Sequence, residues 1–168
     1  MRLETIKIGR IVNAHGIRGE VRVQPDGQDP AFLTQFQTFY LDGAPVTPTA
    51  NQVHKSLVLM KFPGVDDMNA ALALKGKDLY IRRSDAKLPE GACFDAELLG
   101  MAVYDAATGE ALGKIIQVDP YPAHKVYTVR GAREYLIPAV PEVFIKSVDL
   151  DADRMEVHVW EGMAADEN

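Results

Sequence analysis

Cysteine is almost missing from this chain: Cys93 is the single one among 168 residues. An internal disulfide is therefore excluded, and so is a zinc site built from several cysteines. Aromatic residues make up 8% of the sequence, with Trp160 the lone tryptophan, and Tyr121, Tyr127, Tyr135 and Phe144 are scattered and suit strand packing. No apolar run approaches the ~20 residues that cross a bilayer as a helix. The opening Met1-Arg2-Leu3-Glu4-Thr5-Ile6-Lys7 carries an acid and lacks the uninterrupted apolar stretch of a signal peptide. A cytoplasmic protein with no membrane attachment is expected. What the chain does have is 47% hydrophobic and 25% charged residues, the balance of a folded domain and not of a disordered one.

Catalytic signatures are missing too. There is no Gly-x-x-x-x-Gly-Lys phosphate loop, no Gly-x-Gly-x-x-Gly, no His-Glu-x-x-His and no Gly-x-Ser-x-Gly elbow. His15, His54, His124 and His158 are isolated in sequence, with no ligand spacing between them. His54 and His158 read as residues of a sheet face. Asp149, Asp151 and Asp153 alternate, but the glycine and distal glutamate of a calcium loop are absent. Cys93 beside Phe94 reads as a small apolar residue. The expectation is a protein that is not an enzyme and needs no metal or cofactor.

Charge divides the chain. Met1 to Asp85 holds 11 Lys and Arg against 9 Asp and Glu, a net of +2, while Ala86 to Asn168 holds 7 against 15, a net of −8. Halves so different are expected to face different partners, a phosphate-rich one and a basic one. The segment 84–91 is polar, contains Pro89 and Gly91 and lacks periodicity, so it is expected to link a domain over 1–83 to one over 92–168.

Short β-branched runs dominate both parts. Strands are expected near Thr5–Val12, Glu20–Gln24, Thr38–Leu41, Val53–Phe62 and Leu79–Arg82. One short helix is expected from Met68 to Lys75, capped by Asp66 or Asp67 and ended by Gly76. The second part offers Leu98–Tyr104, Leu112–Val118, Lys125–Arg130, Glu134–Ile137, Ile145–Leu150 and Met155–Trp160. The fold class is mainly β, as two small barrels. Trp160 is expected to pack as a lid on the second core.

The most informative stretch is Ile8-Gly9-Arg10-Ile11-Val12-Asn13-Ala14-His15-Gly16-Ile17-Arg18-Gly19-Glu20-Val21-Arg22-Val23. Its flanks alternate apolar and charged residues around a seven-residue turn, Asn13 to Gly19. Gly16 and Gly19 suit backbone angles that other residues reach only with strain. Gly16-Ile17-Arg18-Gly19 matches the Gly-x-x-Gly clamp of KH domains, but that clamp joins helices and this one joins strands. His15, Arg18, Arg22 and the nearby Arg10 read as contacts to phosphate or protein, or as solvated residues of the outer sheet face.

That stretch resembles the opening of the ribosome maturation factor RimM family. Ala70-Ala71-Leu72-Ala73-Leu74-Lys75-Gly76 with Leu79-Tyr80-Ile81 is similar to the family's helix-to-strand segment. Glu97-Leu98-Leu99-Gly100-Met101-Ala102-Val103, Gly109 to Ile115, Leu136 to Val140 and Ile145 to Leu150 resemble its second domain. The resemblance implies an N-terminal six-stranded barrel (1–83) and a C-terminal PRC-type barrel (92–168).

The resemblance also implies a non-enzymatic factor that binds the immature small (30S) ribosomal subunit and promotes head maturation and rRNA processing. Its implied partner is small-subunit ribosomal protein nineteen, bound by the C-terminal domain, with rRNA contact by the N-terminal domain. A monomer is expected. The contact residues are His15, Gly16, Arg18, Gly19, Arg22 and Phe94. The family commonly carries Tyr-Tyr where Cys93-Phe94 stands, so Phe94 keeps an aromatic face without the phenol hydroxyl. The loop Tyr121 to Lys125 also departs from the family's pattern. The alternative is a PRC-barrel adaptor or the barrel module of another multiprotein complex.

Overall fold

The structure is a computed structural model that describes residues 2–89, 92–160 and 163–164. Glu90 and Gly91 of the expected linker lie outside the described residues. The chain groups into two compact units, one of Glu4–Lys87 and one of Met1–Leu3 with Leu88–Asn168.

The first unit runs β1 (Thr5–His15), β2 (Glu20–Pro25), α1 (Pro30–Leu33), β3 (Phe39–Leu41), β4 (Ala44–Val46), β5 (Ala50–His54), β6 (Leu57–Lys61), α2 (Met68–Leu72) and β7 (Asp78–Arg82). Its sheet has seven strands in the order β4-β3-β7-β1-β2-β6-β5, one more than expected. The long β1 pairs with β7 from Thr5 to Arg10 and with β2 from Gly9 to His15. Register shifts between Lys7 and Gly9 and between Ile11 and Asn13 interrupt these ladders. Such bulges strengthen the local twist and curl the sheet. At Gly9 a Cβ would lie 2.9 Å from both the Gln24 carbonyl oxygen and Val23 Cγ1, so only glycine allows β2 this close.

Alternation decides what goes inside. Ile6, Ile8, Ile11, Val21, Val23, Phe39, Val58, Met60, Leu79 and Ile81 are all exposed by 2% or less. Each such burial contributes roughly 1.5–3 kcal/mol before conformational entropy is set against it. Val21 and Val23 inside leave Glu20 and Arg22 on the opposite face.

Three expectations change here. Val53–Phe62 is not one strand but the hairpin of β5 and β6, because Lys55 takes a left-handed φ of 57° and reverses the chain. The Asp42-Gly43 turn leads into β4, an edge strand able to hold Pro45 because no ladder bond is needed on its open side. A second helix, α1, joins the single one expected: Pro30 starts it and Asp29 occupies its N-cap. The helix α2 begins as expected, with Asp67 accepting from the Ala70 amide at 2.8 Å. It stops at Leu72 with Ala73 as its C-cap, short of the expected Lys75 and Gly76, because tighter i→i−3 turns carry the chain from there.

The second unit runs α3 (Asp95–Leu98), β8 (Ala102–Asp105), β9 (Ala111–Pro120), β10 (Lys125–Arg130), β11 (Glu134–Pro138), β12 (Ile145–Asp149) and β13 (Arg154–Val157). These strands order as β11-β10-β9-β8-β13-β12, with β8 and β13 parallel and the rest antiparallel. Leu98, Met101, Val103, Ile115, Val129, Ile137, Met155 and Val157 form its core. The expected strand Leu98–Tyr104 starts only at Ala102. Leu98 ends α3, and Gly100 at φ 82° turns the chain between them. The last strand stops at Val157, and Trp160 is 57% exposed instead of capping the core. Its ring centroid lies 4.8 Å from that of Phe144.

A buried carboxylate fixes the start of this unit. Glu97 is fully buried, and its Oε1 accepts from the Phe94 amide at 3.0 Å. Its Oε2 accepts from the Leu3 amide at 3.1 Å. A carboxylate without such donors would be costly to bury.

Candidate functional site on the β1–β2 tip and its sheet face

The tip is shorter than its sequence suggests. His15 and Glu20 still pair across β1 and β2, which leaves Gly16 to Gly19 as the connection in place of Asn13 to Gly19. The bulge beyond Ile11 lets β1 continue, and the Asn13 side chain accepts from the Ala14 amide at 2.9 Å. Gly16 (φ 69°) and Gly19 (φ 93°) both need the left-handed region. They differ in surroundings. A Cβ at Gly16 would meet nothing within 4 Å, whereas one at Gly19 would overlap the Val65 carbonyl and lie 2.9 Å from the Asp66 amide.

Lys61 fixes the backbone against which Gly19 sits. Its Nζ donates to the Val65 carbonyl and to Asp66 Oδ1, the latter at 2.9 Å. The tip is thereby propped on the 62–66 turn and presents Ile17, 72% exposed, together with the exposed Arg18.

His15 and Arg22 do not point out with Arg18. They lie behind the tip on the sheet face, half-buried. Arg22 Nε donates to His15 Nδ1 at 3.3 Å, which requires that nitrogen to carry no proton. The His15 ring lies 5.6 Å from the His54 ring, centroid to centroid and tilted by 56°. His54 belongs to β5 and was not singled out as a contact residue by sequence reasoning. The register β1-β2-β6-β5 brings it to His15.

Arg10 drops out as a free cation. Its guanidinium donates to Asp78 Oδ1 at 2.8 Å, and Lys7 approaches the same oxygen at 3.6 Å. The hydrogen bond from Arg10 holds the Asp78 carboxyl below the usual carboxylate range, with Lys7 adding to it, and Asp78 in turn raises Arg10. Lys61 and Lys77 face Asp66 and Asp42. Arg18, Arg22 and Lys55 have no carboxylate partner among the described residues.

Phe94 requires a correction. It stands at the N-cap of α3 and is 3% exposed, so its ring is not presented to a partner. Cys93, half-buried, packs against the second core. Burial, followed by the nearby Cys93 and Asp95, pushes the Tyr127 phenol up to about 12. Lys125 from the departing loop holds Asp95 at 2.6 Å. The aromatic rings this unit does expose are Tyr121 and Trp160, both above half exposure. Among the described residues, no group of three or more His, Cys, Asp or Glu is arranged to hold a metal ion.

Comparison with known proteins agrees along the length of the chain. Residues 6–86 match the RimM N-terminal domain model, and residues 95–163 match the RimM PRC barrel domain model. Three relatives are each named ribosome maturation factor RimM. That of Symbiobacterium thermophilum is 34% identical, covering 98% of this chain and 97% of the relative. That of Clostridioides difficile is 34% identical, covering 96% and 97%. One from Clostridium botulinum is 36% identical, covering 93% of each.

Proposed function

The chain belongs to the ribosome maturation factor RimM family, and we propose that it acts by binding the immature small (30S) ribosomal subunit in the cytoplasm, as a monomer. Family membership makes it a non-enzymatic assembly factor. In this reading it promotes maturation of the subunit head and processing of small-subunit rRNA. The C-terminal unit holds a basic ribosomal protein, small-subunit protein nineteen. The N-terminal unit touches rRNA.

The observation that carries this reading is the family match over both units combined with their opposite charge. A net of −8 in the second half steers a cationic protein and raises its association rate. Trp160, exposed and stacked near Phe144, supplies the apolar anchor that the buried Phe94 does not. In the first half, Gly16 and Gly19 shape the tip. Arg18 and Arg22 supply charges that no described carboxylate neutralises. The factor then works by selection: it holds protein and RNA in one arrangement, and release follows when the mature site binds better.

Sedimentation of cell extract tests the reading. The protein is expected with precursor small subunits and not with finished ones. Its presence in another stable complex, away from ribosomal particles, would favour the adaptor role and refute assembly.

A further inference from the structure

Behind the tip lies a cluster with no place in the tip's own geometry. On β2, Glu20 and Arg22 share the face opposite the buried Val21 and Val23. Across the register, Glu20 stands opposite Lys61 and Arg22 opposite Leu59 of β6, and Leu57 stands opposite His54 of β5. Leu59 is on this outer face yet only 5% exposed, so the longer polar side chains around it close over it. His15 reaches the same patch from β1, hydrogen-bonded by Arg22 and with its ring tilted against that of His54.

The charges facing the histidine pair are accounted for strand by strand. β2 brings Arg22 and Glu20 and β6 brings Lys61, while Arg18 points out at the tip and Lys55 lines a groove with Gln24 and Asp29. Lys61 is neutralised by Asp66, whereas Arg22 is not neutralised by any described carboxylate. Glu20 is the single acid these strands bring to the patch. Arg22 uses its Nε on His15, which turns the rest of the guanidinium fork outward as a donor pair suited to a phosphate. A protonated imidazole beside a guanidinium is repelled by it, and an anion placed between them removes that penalty. Histidine is the side chain whose charge changes most readily near neutral pH.

We propose that this outer face of β2, β6 and β5 is an RNA phosphate site formed by Arg22, His15 and His54, and that binding RNA takes up a proton on His54, with His15 Nδ1 remaining the acceptor of Arg22 Nε. This rests on the rRNA contact proposed above and goes beyond it, because it adds His54, a residue remote from the tip, and couples the grip to pH. The ligand is RNA: the guanidinium fork suits its phosphates, and the imidazole rings beside it offer faces on which unstacked bases can lie.

The test uses the full chain and a fluorescein-labelled single-stranded uridine oligomer, with anisotropy read at about pH 6 and about pH 8 at constant ionic strength. The wild type is expected to bind about tenfold more tightly at the lower pH. His54→Gln should abolish most of that difference while leaving affinity at the higher pH within about twofold. Arg22→Gln should weaken binding at both pH values and reduce the salt slope by about 0.7, the loss of one phosphate contact. Circular dichroism of each variant confirms an unchanged fold. Full pH dependence in His54→Gln, or none in the wild type, overturns the inference. Equal binding of labelled polyglutamate would assign the face to an acidic protein and overturn it too. If the wild type ignores the oligomer but sediments with precursor subunits, the inference fails and the assembly reading stands. Oligomer binding as expected, with no sedimentation on precursors, would keep the phosphate site and refute the assembly role instead.

Discussion

Replacing Gly16 and Gly19 by alanine, one at a time, should damage the protein very unequally although the two residues share one short turn. At Gly16 the φ of 69° imposes left-handed strain of ~1–2 kcal/mol on an alanine, and no atom within 4 Å resists the added methyl. Alanine also restricts the unfolded chain, which returns roughly 0.4–1 kcal/mol, so a net loss near 1 kcal/mol is expected. At Gly19 the same strain is joined by a methyl driven into the Val65 carbonyl, a backbone atom that Lys61 holds in place. Overpacking of this kind adds ~1–3 kcal/mol to that net loss near 1 kcal/mol, for a total of ~2–4 kcal/mol. In a unit of this size each kcal/mol lowers the midpoint by roughly 4–8 °C. Thermal melts followed by far-ultraviolet circular dichroism measure the loss. Trp160, the only tryptophan, reports the second unit by fluorescence, so a loss confined to the first unit leaves its emission transition in place. Equal midpoints for the two variants, or a larger loss in Gly16→Ala, would refute the argument from the Val65 contact.

Phe94→Ala and Trp160→Ala should part company. The buried Phe94 is expected to lose ~3–5 kcal/mol of stability, and the exposed Trp160 about 2 kcal/mol or more of affinity for protein nineteen with little change in midpoint; calorimetric titration and melts check both, and the opposite pattern would restore Phe94 as the anchor. Tyr127 should ionise at about pH 12 in the folded protein. Because its folded value is raised, its contribution to stability is complete below the ordinary tyrosine range and declines as pH climbs from there to about 12; alkaline denaturation of Tyr127→Phe should lack that component. Asp78 has the opposite sign: its lowered value means that Asp78 and Arg10 stabilise the first unit above the ordinary carboxylate range and lose that contribution as pH falls through the depressed value. Asp78→Asn should flatten this part of an acid-denaturation curve, and an unchanged curve would show the exposed pair to be energetically silent.

Much of this structure is written in local chemistry. The alternation through Val21 and Val23 and the Asp67 cap are short-range signals, and the elements they specify are present. Asp29-Pro30 is a legible helix start too, yet four residues of helix are easily lost among strand-like neighbours. The β5–β6 hairpin is harder. Lys55 at φ 57° has no sequence signature, because lysine seldom takes that conformation and here does so to keep Val53 opposite Val58. The meeting of His15 and His54 is harder still, since it depends on two intervening strand registers and on sheet curl. Phe94 shows the reverse difficulty: an aromatic at a domain entrance suggests a contact residue, and only three-dimensional burial shows otherwise.

The hydrogen bond from Leu3 to Glu97 spans 94 residues, and a flexible loop of that length would cost about 4 kcal/mol of closure entropy. Little of that cost remains once Glu4–Lys87 has folded. Thr5 is paired with Arg82, and the Arg83 amide donates to the Glu4 carbonyl at 2.8 Å, so the unit returns the chain to where it left. In ribosomal synthesis the earlier unit emerges first, and by folding it holds Glu4 and Arg83, where the chain enters and leaves it, together while the second unit is still being made. The first unit is thus a covalent clasp for the second. A point mutation that loosens β1 against β7 should therefore raise the unfolding rate of the second unit's core.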